Sequence, residues 1–106
     1  MRIEVDGDES ISRQTRTYAE YRLFAALAPS IEDRRCRGAS LVVRRAKSPR
    51  RGARVGCTVV VALQDGGIAR FRATGGHPYE AINRAVDRVR LTSWPATHGA
   101  RVQVSG

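Results

Sequence analysis

The sequence has no apolar run approaching the roughly 20 residues that span a bilayer. Its start, Met1-Arg2-Ile3-Glu4-Val5-Asp6, lacks the apolar stretch of about 7–15 residues that marks a secretory signal. A cytoplasmic address is therefore expected. Cysteine occurs only twice, at Cys36 and Cys57. Two scattered cysteines fall short of the about four clustered ligands of a structural metal site. A hairpin turning near residue 50 sets Cys57 opposite about Val43, several residues from Cys36. Strand residues rise about 3.3 Å each, which holds the thiols too far apart for a disulfide. Both cysteines read as small strand or core residues. Histidine is equally scarce, with only His77 and His98, neither in a nucleophile-and-acid arrangement. The P-loop, the dinucleotide fingerprint and HExxH are all missing. No enzyme, no metal and no cofactor are expected.

Basic charge is abundant. The chain of 106 residues, one domain in length, carries a net charge of +9. Residues 1–10 hold four acids (Glu4, Asp6, Asp8, Glu9) against Arg2. Residues 34–54 hold nine basic residues and no acid. A concentrated positive field attracts polyanions and speeds their encounter, so nucleic acid is the favoured partner class. The competing reading is a solvated basic surface.

Hydrophobic spacing gives an element order. Arg2–Asp6 alternates as a short first strand that Asp6-Gly7-Asp8 ends. Ser12 can cap a helix reaching about Ala28, where Pro29 is expected to stop it. Two stripes compete for its buried face: Ala19, Leu23 and Ala26, or Tyr21, Phe24 and Ala28. The tyrosines and Phe24 are read as core or flank rather than as base-stacking platforms. Arg37–Ala46 is a β run, and Lys47–Gly52 has turn chemistry. Arg54–Leu63 alternates with Val55, Cys57, Val59, Val61 and Leu63 on one face, and Asp65-Gly66-Gly67 signals a tight hairpin. In Ile68–Thr74, Ala69, Phe71 and Ala73 face the core, which turns Arg70 and Arg72 to the open face of the sheet. Gly75-Gly76 is read as a strand-to-helix turn needing glycine conformations. His77 stands where a cap belongs, and Pro78 begins a helix with Tyr79, Ile82, Val86 and Val89 at helical spacing, ending near Leu91 to Ser93. In the tail, Arg101–Val104 pairs as an edge strand or stays disordered. The domain is placed at 1–94 and the tail at 95–106. The fold class is α+β, in the order β-α-β-β-β-α. Its expected form is a four-stranded mixed sheet with both helices on one face.

Candidate RNA-binding residues lie on a turn (Lys47, Arg50, Arg51), on strands (Arg44, Arg45, Arg70, Arg72) and on helices (Arg16, Arg22, Arg84, Arg88). Arg54 adds to the strand charge. Guanidinium groups pair bidentately with phosphate and stack on bases. There is no aromatic pair of the kind that stacks single-stranded bases, which favours structured, A-form RNA read through backbone and 2′-OH groups.

The stretch Ala73-Thr74-Gly75-Gly76-His77-Pro78-Tyr79-Glu80-Ala81-Ile82-Asn83, followed by Val86-Asp87-Arg88-Val89, resembles the ribosome hibernation-promoting factor family. Tyr79, Ala81, Ile82, Asn83 and Arg88 fit its second-helix motif; Ile11, Arg16, Tyr18, Arg22 and Leu23 fall on matching first-helix positions. The resemblance covers about residues 1–92. It implies a double-stranded-RNA-binding-domain-like fold and a protein that binds the small ribosomal subunit and its RNA. Such a protein blocks the messenger and transfer RNA channel during stress or stationary phase. The same resemblance gives Arg16, Arg22 and Arg88 RNA-facing roles. Departures from the family pattern are His77 in place of the capping Asp, Ala25 in place of a Lys, Leu91 in place of a basic residue, and an early helix end at Trp94-Pro95. The long form's C-terminal dimerisation domain is not among these residues, so pairing of ribosomes by that route is not expected. A monomer is favoured. The alternatives are a generic structured-RNA-binding module, or a protein-interaction module that buries its open sheet face on a partner or a second copy.

Overall fold

The computed structural model describes the backbone of residues 2–32, 35–48, 52–91 and 102–105, and the side chains of residues 2–30, 35–45 and 54–91. The elements are β1 (Arg2–Gly7), α1 (Arg13–Glu32), β2 (Cys36–Ser48), β3 (Gly52–Leu63), β4 (Ile68–Gly75), α2 (Pro78–Leu91) and β5 (Val102–Ser105). The sheet order is β1-β2-β3-β4-β5. The outer pairs β1–β2 and β4–β5 are parallel, and the inner pairs are antiparallel. Four strands and two helices stand in the expected order, and β5 takes the edge-strand alternative as a fifth.

The core lies between the sheet and the two helices. Every second residue of β3 from Val55 to Leu63 is buried, and Leu41, Val43, Ala69, Phe71 and Ala73 complete the same face. Each fully buried valine or leucine contributes about 1.5–3 kcal/mol. Of the two competing stripes on α1, Ala19 and Leu23 are buried, and Leu27 joins them. Tyr21 and Phe24 lie outside the core, 71% and 55% exposed. From α2, Ala81, Ile82, Ala85, Val86 and Val89 close the layer. Val43 pairs with Cys57, the register expected of the hairpin, and both cysteines are buried thiols with no disulfide between them.

Helix α1 does not stop at Pro29; it runs on to Glu32. Proline cannot donate to the carbonyl four residues back, at Ala25. Ala25 and Pro29 are both exposed, so water can serve that carbonyl. Burial of Ser30 holds the last turn down, and the Arg35 N–H closes it on the Ser30 carbonyl at 2.8 Å. At the other end Ser12 caps the helix, its Oγ accepting the Thr15 N–H at 3.1 Å.

Gly66, in the β3–β4 turn, has φ of 93°, a conformation that favours glycine. Gly75 needs glycine for a different reason from the one expected. Its φ is not positive, but a Cβ there would lie 2.9 Å from the Ala81 nitrogen and 2.8 Å from Glu80 Oε1. The strand-to-helix turn requires space rather than an unusual conformation.

Candidate nucleic-acid interface

The β2–β3 pair outruns its neighbours. Pairing with β1 ends at Gly7↔Val43, and pairing with β4 ends at Val55↔Gly75. Three further pairs follow, from Ala46↔Arg54 to Ser48↔Gly52, so the hairpin leaves the body as a two-stranded arm. Asp8 braces the root of the arm. Its Oδ2 accepts the Arg45 N–H at 2.8 Å where β1 can no longer do so. The hydrogen bond from the Ser10 hydroxyl and that from Arg45 hold the Asp8 carboxyl below the usual carboxylate range. Arg44 and Arg45 are exposed at the root. Lys47 lies on the arm with its side chain outside the described residues, and Arg50 and Arg51 lie wholly outside them.

Strand parity sorts the remaining basic residues. Arg70 and Arg72 alternate with buried Ala69, Phe71 and Ala73, which puts them on the helix-free face. Arg44 shares that face one row nearer the arm, across from Gly56 and Thr74. Arg54, half-buried and beside buried Val55, stands on the same face in the next row. Arg70, Arg72, Arg44 and Arg54 therefore form a track leading to the arm. Among the described residues, the guanidinium groups of Arg44, Arg70 and Arg72 have no ion-pair or hydrogen-bond partner. Arg54, counted with the strand charge in the sequence, owes its place on this face to its alternation with Val55. The same parity turns Arg45 to the opposite side, toward Asp8.

The helix arginines are engaged within the chain. Arg16 Nη2 donates to the Gly7 and Asp8 carbonyls at 3.0 and 3.2 Å, fastening α1 to the end of β1. Arg22 pairs with Asp87 across the helix layer at 3.3 Å. Arg84 donates to the Thr74 carbonyl at 2.9 Å and pairs with Glu80 at 3.5 Å. Arg88 is half-buried on α2. The sequence-derived set thus divides between the two sides of the sheet, with the arm at one end.

Beside Arg22–Asp87, the Tyr18 hydroxyl donates to Asn83 Oδ1 at 2.6 Å, and the Tyr18 and Tyr79 rings meet edge to face at 4.9 Å. These residues sit four apart on each helix and bolt α1 to α2. His77 performs the capping expected of an Asp: its Nδ1 accepts the Glu80 N–H at 3.3 Å. Glu80 reaches back to the Gly76 N–H at 2.8 Å. That bond, and then the charge of Arg84, hold the Glu80 carboxyl below its usual range.

On the outer side of α1, Tyr21 and Phe24 border an open groove of about 630 Å³ with Arg2 and Glu20. No described group of three or more His, Cys, Asp or Glu residues is arranged to hold a metal. No helix among the described residues is long and apolar enough to cross a membrane.

A ribosomal subunit interface protein from Coxiella burnetii superposes with a TM-score of 0.67 at 16% identity, over 85% of this chain and 90% of that one. The N-terminal domain of Thermus thermophilus Protein Y superposes with a TM-score of 0.58 at 28% identity, over 85% and 92%. The chain has the fold of the ribosome hibernation-promoting factor family. No protein-family model and no curated protein sequence matches it. The resemblance to hibernation factors therefore lies in the architecture as well as in the second-helix motif. Tyr18 and Arg22 from the matching first-helix positions and Tyr79 and Asn83 from the second-helix motif, together with Asp87, build the joint between the helices.

Proposed function

We propose that this protein associates with the ribosome, binds the small subunit through its RNA, and holds translation idle by occupying the messenger and transfer RNA channel. One observation carries the reading. A fold shared with a ribosomal subunit interface protein bears an arginine track, in which Arg44, Arg70 and Arg72 have no partner among the described residues, that leads into a basic arm. Structured RNA presents phosphates at regular spacing, and arginines two residues apart on a strand, about 6.6–6.8 Å, can each meet one. The work is steric and electrostatic. No residue takes a catalytic role, and occupancy of the channel is itself the inhibition. The setting is the cytoplasm under stress or in stationary phase, when idle ribosomes accumulate.

The experiment is sedimentation of stationary-phase lysate through a low-salt sucrose gradient, with the chain followed by antibody. Co-migration with small subunits or whole ribosomes, lost at high salt, is expected. Absence from every ribosomal fraction would refute the proposal. Equal affinity for isolated duplex RNA would reduce it to a general RNA-binding module.

A further inference from the structure

The helix-free face carries a second pattern besides its arginine track. Register places Glu4, Ser40, Val60 and Arg70 in one row across β1 to β4. The next row is Asp6, Val42, Thr58 and Arg72. Each row begins with an acid on β1, crosses apolar or small neutral residues on β2 and β3, and reaches an arginine on β4; β5 continues the rows with Gln103 and Ser105 and lies outside the four strands that the pairing uses. The acids are exposed, and Glu4 makes only a surface ion pair with Arg2, at 2.9 Å.

This arrangement is complementary to itself. A two-fold axis between two such faces, running along the strands, carries β1 of one copy over β4 of the other and β2 over β3. Glu4 then lies over Arg70 of the second copy, and Asp6 over its Arg72. Ser40 meets Val60, and Val42 meets Thr58. The symmetry repeats every pairing, as an isologous interface requires. Packed sheets lie about 10 Å apart with strand directions within about 30°, so the two central rows stay within reach of long side chains.

We infer that the open sheet face is a self-association surface on which a second copy of this chain docks, with Glu4 and Asp6 against Arg70 and Arg72. Strands about 4.8 Å apart and four same-face rows about 6.8 Å apart, from the row of Arg2 and Ile68 to the row of Arg44 and Thr74, give a patch of roughly 500 Å² per copy. A pair then buries roughly 1,000 Å², the lower end for a specific interface. The dimer is accordingly weak and reversible. It also covers Arg70 and Arg72, so self-association and RNA binding compete for the same arginines. Polyanion would therefore dissociate the dimer.

The test is sedimentation velocity on the full, nuclease-treated chain at low salt, from micromolar to submillimolar concentration. A mass rising toward two copies is expected. Glu4→Arg with Asp6→Arg, and separately Arg70→Glu with Arg72→Glu, should each weaken association at least about tenfold, since like charges brought together cost several kcal/mol. Mixing the two variants should restore a one-to-one pair, because each then offers the charge the other lacks. Circular dichroism confirms that both variants are folded. A chain that stays monomeric throughout, a dimer that nuclease abolishes, or folded variants that do not pair on mixing would each overturn the inference. If RNA or another protein is the sole occupant of this face, the first of these results follows.

Discussion

Replacing Arg44, Arg70 and Arg72 together with glutamine should flatten the salt dependence of small-subunit binding, whereas replacing Arg16 and Arg22 should not. The first three guanidiniums are unpartnered among the described residues on the sheet's open face. The other two hold the Gly7 and Asp8 carbonyls and the Asp87 carboxylate. Each phosphate contact contributes about 0.7–0.9 to the slope of log affinity against log salt. Between about 50 and 200 mM salt, three contacts account for roughly a 20–40-fold fall in affinity that the triple variant would no longer show. Arg22→Gln instead removes a half-exposed ion pair worth up to about 1 kcal/mol of stability. That corresponds to a Tm lowered by up to roughly 4–8 °C in a domain of this size. The assay is fluorescence anisotropy of labelled chain against purified small subunits across that salt range, with thermal melts of each variant. Equal slopes for wild type and the triple variant would refute the division. So would a slope that changes only with Arg16 and Arg22.

Tyr18→Phe should lower stability by about 1 kcal/mol by deleting the 2.6 Å bond to Asn83, without altering the salt slope; chemical denaturation and the anisotropy assay read the two effects. Asp8 and Glu80 titrate below their usual range, so each stabilises the fold fully above the ordinary carboxylate pKa and loses that contribution as pH falls through the lowered value. Denaturation midpoints should therefore drop below about pH 5, with Glu80→Gln showing a shallower acid dependence. Burial pushes the Cys57 thiol up to about 12, so it should be inert to thiol reagents at neutral pH and label only as the chain unfolds. Rapid labelling in the native state would contradict its place in the core.

Alternation made the strands readable in advance. Val55, Cys57, Val59 and Val61 could take only one face, and that fixed Arg70 and Arg72 on the opposite one. The buried stripe of α1 was ambiguous because alanine and aromatic residues recur on both sides at helical spacing. The choice falls to Leu23 and Leu27, which the sheet accommodates, and the larger rings of Tyr21 and Phe24 are left outside. Pro29 was misleading because proline's cost depends on what surrounds the orphaned carbonyl, and here that is solvent. Sequence also reports charge without reporting its partner. Arg16 and Arg70 look alike in the chain, yet one is tied to two carbonyls and the other has no partner among the described residues. The arm followed from pairing lengths, which become visible only when all four register partners are known.

Strand direction has a kinetic consequence. β1, β2 and β4 run the same way, and α1 and α2 each begin where β1 and β4 end. Both helix amino termini therefore lie at the end of the sheet from which the basic arm projects. Each terminus adds a partial positive charge of about one half. The molecule thus gathers positive charge at the end that bears the arm. In the field of a polyanion it experiences a torque that turns the arm forward before contact. Productive encounters then form a larger share of all collisions than random orientation would allow.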